Sequence, residues 1–278
     1  MKQFRNYPIY INYSRAGEIS EWRADYFQTQ GDSKMAEWMN STGAGLLETA
    51  VYTNLSPEAI AYEESIVEQL KIIDKTALGK LLFDSLNPTE KIWIVPLYEK
   101  LQNICGCVGL TVGVVSPKQG GGIHVWYDTE GVDAPAINYT PDSILFHEMI
   151  HAYRIGRVGF GGQNNQQLRE YKSVEEFLAI YMQNVYFALR GNLRFTRSHS
   201  RSTTVLSKDE IYSYLSSDAE AMSALRYYLR NEPLAAKVAS RMHPLFNPWR
   251  DFAKLERIFR GRNPYLSIGN RTRLPPLP

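Results

Sequence analysis

The chain has 278 residues, 44% of them hydrophobic and 22% charged, so it can bury a substantial core and disorder is excluded as its default state. A formal charge of +2 gives no argument for nucleic acid as a partner, and no apolar run is long enough to cross a bilayer. Cys105 and Cys107 are one residue apart, too tight for an ordinary disulfide; they read as small buried residues of a strand, with a metal or redox pair as the alternative, and a reducing folding compartment is expected.

The opening MKQFRNYPIYINYSRAGEISEW lacks the unbroken apolar core of a secretory signal. Residues 1–30 show no strong period and read as irregular, within an N-terminal arm or accessory region of residues 1–55. A helix is predicted from Ser56, which can cap, with Pro57 in the first turn and Ile60, Ile66, Val67 and Leu70 as its apolar stripe. A second follows over residues 76–86, TALGKLLFDSL. Three β-branched and aromatic runs, KIWIVPL (91–97), CVGLTVGVV (107–115) and GIHVWYD (122–128), read as strands of one small sheet. PKQGGG (117–122) lacks the Lys-Ser or Lys-Thr pair of a phosphate cradle and reads as a turn between strands.

Helical signals then dominate: Thr140 to about Arg154, Ser173 to Arg190, Ser207 to Arg230, and shorter segments near 233–241 and 248–260. The basic, Pro-rich end of residues 261–278 suits an extended tail. Residues 56–260 are thus expected to form one α+β domain with a small mixed sheet and a largely helical C-terminal half.

FHEMIHAYR, residues 146–154, carries the chemistry. His147 and His151 are four apart, so on a helix they share one face and can converge on one cation. Thr140 can cap this helix, Pro141 fits its first turn, Asp142 complements its positive end, and Gly156, Gly159, Gly161 and Gly162 are expected to end it. Glu148, beside the first histidine, is placed to act as general base on the water of a metal-dependent hydrolysis.

A zinc site needs a third ligand. SVEEFLAIYMQN (173–184) offers Glu175 and Glu176 at the start of the next strong helix. Ala179, three residues after Glu176, would allow close approach of the two helices and favours Glu176. Against it, Ser173 and Glu176 form a Ser-x-x-Glu capping box; if that occupies the carboxylate, Glu175 becomes the ligand.

HEMIHAYR, followed after a Gly-rich link by EEFLAI, resembles the NleD-like effector metallopeptidases of bacteria, with weaker similarity at GKLLFDSL and in the strand before the motif, over roughly residues 76–190. The Glu-Phe-x-Ala run at Glu176 is similar to the third-ligand helix of anthrax lethal factor. The resemblance implies a zincin-like fold, one catalytic Zn2+ per chain on His147, His151 and Glu176, and cleavage of a host signalling protein. It also implies an effector or toxin without a classical signal peptide, delivered by a dedicated secretion system into a target-cell cytoplasm.

Tyr171 and His199 are candidates for stabilising an oxyanion, weighed against packing for Tyr171 and solvation for His199. His124 is expected to point off its sheet, and His243 to lie in a loop. GIHVWYD is either the edge strand that pairs with an extended substrate or an interior strand. Arg190, Arg194, Arg197 and Arg201 form a positive stretch, either solvated or favouring acidic substrate segments. The expected activity is zinc endopeptidase cleavage of a protein; the alternatives are hydrolysis of a non-peptide amide, or a binding module that keeps the motif without turnover.

Overall fold

A computed structural model describes residues 2–11, 57–96, 113–117, 122–127, 139–159, 162, 166–171, 173–197 and 205–262. The protein is of mixed α and β class and mostly helical, with eight helices among the described residues and a small mixed sheet. It divides into two compact units, the first from Met1–Ile72, Leu86–Asp133 and Thr140–Phe160, the second from Ile73–Ser85, Ala134–Tyr139 and Gly161–Pro278.

The first unit is built on strands β1 (Lys2–Gln3), β2 (Ile9–Ile11), β3 (Ile92–Pro96), β4 (Gly113–Pro117) and β5 (Ile123–Tyr127), in the order β1-β2-β3-β5-β4. β2, β3 and β5 run parallel, whereas β1 and β4 are antiparallel to their neighbours. Ile92, Trp93, Ile94 and Val95 are all buried, which explains why β3 reads as an unbroken apolar run: a central strand covered on both faces has no polar side to alternate with. Helix α1 (Pro57–Asp74) buries Ala59, Tyr62, Ile66 and Leu70 along one stripe, and the Tyr62 hydroxyl donates to the Tyr127 carbonyl at 3.1 Å. The Tyr127 hydroxyl in turn donates at 2.7 Å to the carbonyl of Pro141, the first residue of helix α3 (Pro141–Val158). α3 packs on β4 and β5.

Two expectations for this unit need correction, and one pair of alternatives is decided. Residues 2–3 and 9–11 are strands of the sheet; runs of two and three residues are too short to show a period, and β2 is held by parallel pairing with β3. Ile60 is 48% exposed, because six residues before Ile66 it falls on the side of α1 turned away from the stripe. GIHVWYD supplies an interior strand, with β5 paired to β3 on one side and β4 on the other. Beyond it lies β4, antiparallel to it at one end of the sheet, with β5 as its one neighbour among the described residues. Cys105 and residues 107–112 of the run CVGLTVGVV, Cys107 among them, lie outside the described residues.

The second unit centres on helix α4 (Val174–Leu189). Its run VEEFLAIYMQNVYFAL is apolar nearly all round and correspondingly buried, as expected of a helix with neighbours on every side. Helices α2 (Ala77–Phe83) and α6 (Ala219–Asn231) and strand β6 (Phe195–Thr196) pack on it. β6 pairs with β7 (Val205–Leu206), and helices α5 (Lys208–Leu215), α7 (Pro233–Arg241) and α8 (Phe252–Arg262) complete the unit. Phe246 stacks on Phe195 and Tyr212, with ring centroids 4.6 Å and 5.1 Å apart.

The helix expected over 207–230 is two. α5 closes at Ser216, and Asp218 opens α6 by accepting from the N–H groups of Glu220 and Ala221; Ser-Ser-Asp is cap chemistry that competes with helix continuation.

In α2, a Cβ added to Gly79 would sit 2.0 Å from the Ile73 carbonyl oxygen. Thr76 caps the helix at this tight reversal, its hydroxyl accepting from Gly79 N–H at 2.9 Å. Gly79→Ala is expected to destabilise the protein by roughly 1–3 kcal/mol, the range for an overpacked interior, read as a lower denaturant midpoint with unchanged slope.

Candidate metal centre

α3 positions the histidine motif. Its first turn is fixed by Ser143, whose Oγ accepts from the Thr140 N–H at 3.0 Å and donates to the Thr140 carbonyl at 2.7 Å. Pro141 follows with no N–H to satisfy, and Asp142 lies in the first turn beside the positive end of the helix dipole. The helix passes through Gly156, whose carbonyl accepts from Asn87 Nδ2 at 3.3 Å, and runs to Val158, four residues beyond the expected end at Arg154, with Gly159 capping it at φ 72°. Leu145, Phe146, Met149, Ile150 and Ala152 are fully buried, so the helix is anchored on both sides of the motif.

On this scaffold His147 and His151 bring their Nε2 atoms to 3.1 Å, with ring centroids 4.9 Å apart and planes at 70°. Two imidazole nitrogens on a tetrahedral zinc, each at 2.0–2.1 Å from it, stand about 3.3 Å apart, so the pair is spaced for a shared cation. His147 is buried and His151 half-buried, a setting that holds the rings in place while leaving access.

Glu176 lies in the first turn of α4, whose cap is Ser173: its hydroxyl accepts from the Glu176 N–H at 3.2 Å. That bond uses the backbone of Glu176 and makes no demand on its carboxylate. His147, His151 and Glu176 each offer one ligand atom, and this group could bind a metal ion. Two imidazoles and one carboxylate are a donor set suited to zinc that leaves a fourth position open. Glu148 is half-buried and is not one of the three; Glu175 is buried, at 3% exposure.

The other sequence candidates fall elsewhere. Tyr171 is buried in the second unit, its hydroxyl sharing a 2.8 Å hydrogen bond with that of Tyr181 and its ring edge-on to Phe177 at 4.9 Å, and burial holds its pKa well above the usual tyrosine value. This is the packing role weighed for it above. His199 and Arg201 lie outside the described residues. His124 is buried on β5, opposite Trp93 and Ser116. His243 is exposed in the stretch after α7, as expected for a loop. Of the positive stretch, Arg190 lies over the Tyr186 ring and Arg194 is exposed, whereas Arg197 is tied to Glu170 and stacked 4.2 Å over Tyr214.

Tyr139 was not singled out in the sequence. Burial pushes its hydroxyl up to about 12 against the lowering effect of a hydrogen bond with Thr196, and the negative charge of Glu176 adds a smaller upward push. Its ring meets Phe187 at 6.0 Å. The one local signal is its place directly before the Thr140-Pro141 helix start.

Comparisons with protein-family models, characterised proteins and solved structures find no match for this chain. Function has to be read from the chemistry of these side chains.

Proposed function

We propose that the protein is a zincin-like, zinc-dependent endopeptidase, with His147, His151 and Glu176 holding one Zn2+ and Glu148 serving as general base. The observation that carries this reading is the pair of Nε2 atoms 3.1 Å apart on one face of a firmly anchored helix, with a glutamate beside the first of them. Bound zinc supplies Lewis acidity, polarising a carbonyl and making water more acidic. Glu148 takes a proton from the attacking water as its oxygen bonds to the peptide carbon; as the C–N bond breaks, the same carboxyl returns that proton to the leaving amine. The products are a carboxylic acid and an amine, which together ionise to carboxylate and ammonium, and Glu148 is regenerated. β4, antiparallel at the end of the sheet and packed on by α3, is the strand an extended peptide would pair with. The resemblance at HEMIHAYR and EEFLAI extends the reading to a bacterial effector acting on a protein inside a target cell.

The test is metal analysis of the purified chain together with a search for new N-termini in treated cell lysate. One zinc per chain is expected, removed by a strong chelator and lost in His147→Ala and His151→Ala. New N-termini should appear only with metal-loaded protein. A folded, metal-free chain that generates the same N-termini would overturn the proposal, and a metal-loaded chain that generates none would favour hydrolysis of another amide.

A further inference from the structure

The first turn of α4 is held from outside the helix at unusually close quarters to Glu176. Residue 174 has both of its backbone polar groups engaged by distant partners. Its N–H, one of the four that a helix start leaves without an internal acceptor, donates to the Gln166 carbonyl at 3.0 Å. Its carbonyl accepts at 3.0 Å from the hydroxyl of Tyr228, a fully buried residue of α6 that is 54 positions along the chain. The segment leading into α4 is tied to the same helix, because Arg169 N–H donates to Glu220 Oε2 at 2.9 Å. α6 is itself fixed at its start by the Asp218 cap, and α6 and α4 pack together.

A carbonyl at the start of a helix already has an acceptor role toward the N–H four residues on, so the Tyr228 bond is additional to what helix formation needs. It fixes the rotation and axial position of the turn that carries Glu176, two residues later. A carboxylate ligand must be placed within a few tenths of an ångström of its bonding distance, and groups that orient a ligand are worth roughly 10–100-fold in metal affinity.

We infer that Tyr228 is a positioning residue for Glu176, setting metal affinity through the Val174 carbonyl. This rests on Glu176 being a metal ligand, as proposed above.

The test compares Tyr228→Phe with Tyr181→Phe in the full chain. The second variant removes a hydroxyl of similar burial from the same unit, one that bonds Tyr171 and not the first turn of α4. Zinc affinity is measured by competition with a chromophoric chelator, ligand geometry by the visible bands of the cobalt(II)-loaded protein, and local order by amide hydrogen exchange of the metal-free protein. Tyr228→Phe should bind zinc about tenfold more weakly, with altered cobalt bands and faster exchange in the first turn of α4 but not in its last. Tyr181→Phe should leave zinc affinity and cobalt bands as they are, whatever it does to thermal stability. Unchanged zinc affinity in Tyr228→Phe overturns the inference, as does equal weakening in both variants, which would mark a general stability effect. If Tyr228→Phe does not fold at all, the hydroxyl is a structural requirement and the positioning role is likewise overturned. Glu176→Ala separates the two levels: retention of zinc there sinks the ligand assignment itself, whereas loss of zinc there with normal binding in Tyr228→Phe sinks only the inference about Tyr228.

Discussion

Glu148→Gln is expected to keep its metal and lose turnover by at least ~100-fold, the range for removing a positioned general base. The substitution preserves size and most hydrogen bonding but removes the carboxylate proposed to take the proton from water. Because Glu148 is not one of the three residues grouped for metal binding, zinc content should remain at one per chain. The two readouts must diverge: metal retained, rate lost. Equal loss of both would make Glu148 a ligand or a folding residue, and an unchanged rate would place the base elsewhere.

The parts of this protein that were legible in the sequence are those specified within one turn or one period. The start of α3 is written in Thr140-Pro141-Asp142, and α5 opens on a capping box in which Ser207 and Glu210 exchange bonds. The histidine pair is legible for the same reason, since a spacing of four on a helix fixes which face both side chains share. Where identity depends on a distant partner, local pattern gives out. β2 exists because β3 is there to pair with, and the interior place of β5 depends on β4 adding beyond it. The break between α5 and α6 was written locally, in Ser216-Ser217-Asp218, but apolar residues on either side keep a helical period across it and mask the cap.

The site divides along the same line. Tyr171 looks like a functional hydroxyl in sequence because it precedes the helix that carries Glu176, and only the tertiary fold shows that hydroxyl turned onto Tyr181. Tyr139, by contrast, has only its place before the Thr140-Pro141 helix start to mark it locally; its relevance is the burial and the neighbouring charge of Glu176, both products of folding.

The adjacent carboxylates give the sharpest expected contrast. Glu176→Ala is expected to abolish zinc retention and activity together, while Glu175→Ala should leave both largely intact. The cap does not confound this experiment, because the bond from Ser173 engages the backbone N–H of residue 176, which alanine keeps. If Glu176 had only a capping role, its loss would lower stability by about 1 kcal/mol with zinc still bound. Glu175 is buried, so replacing it can cost stability without touching the metal, and thermal unfolding must be recorded beside zinc stoichiometry for both variants. A less stable Glu175→Ala that still carries one zinc per chain agrees with the assignment. A zinc-replete Glu176→Ala would move the third ligand elsewhere, and a zinc-free but fully folded Glu175→Ala would move it one residue back. In that second case the ligand would sit about 100° further round α4, on a side chain now counted with the interior, so the first turn would have to rotate before the carboxylate could reach a metal.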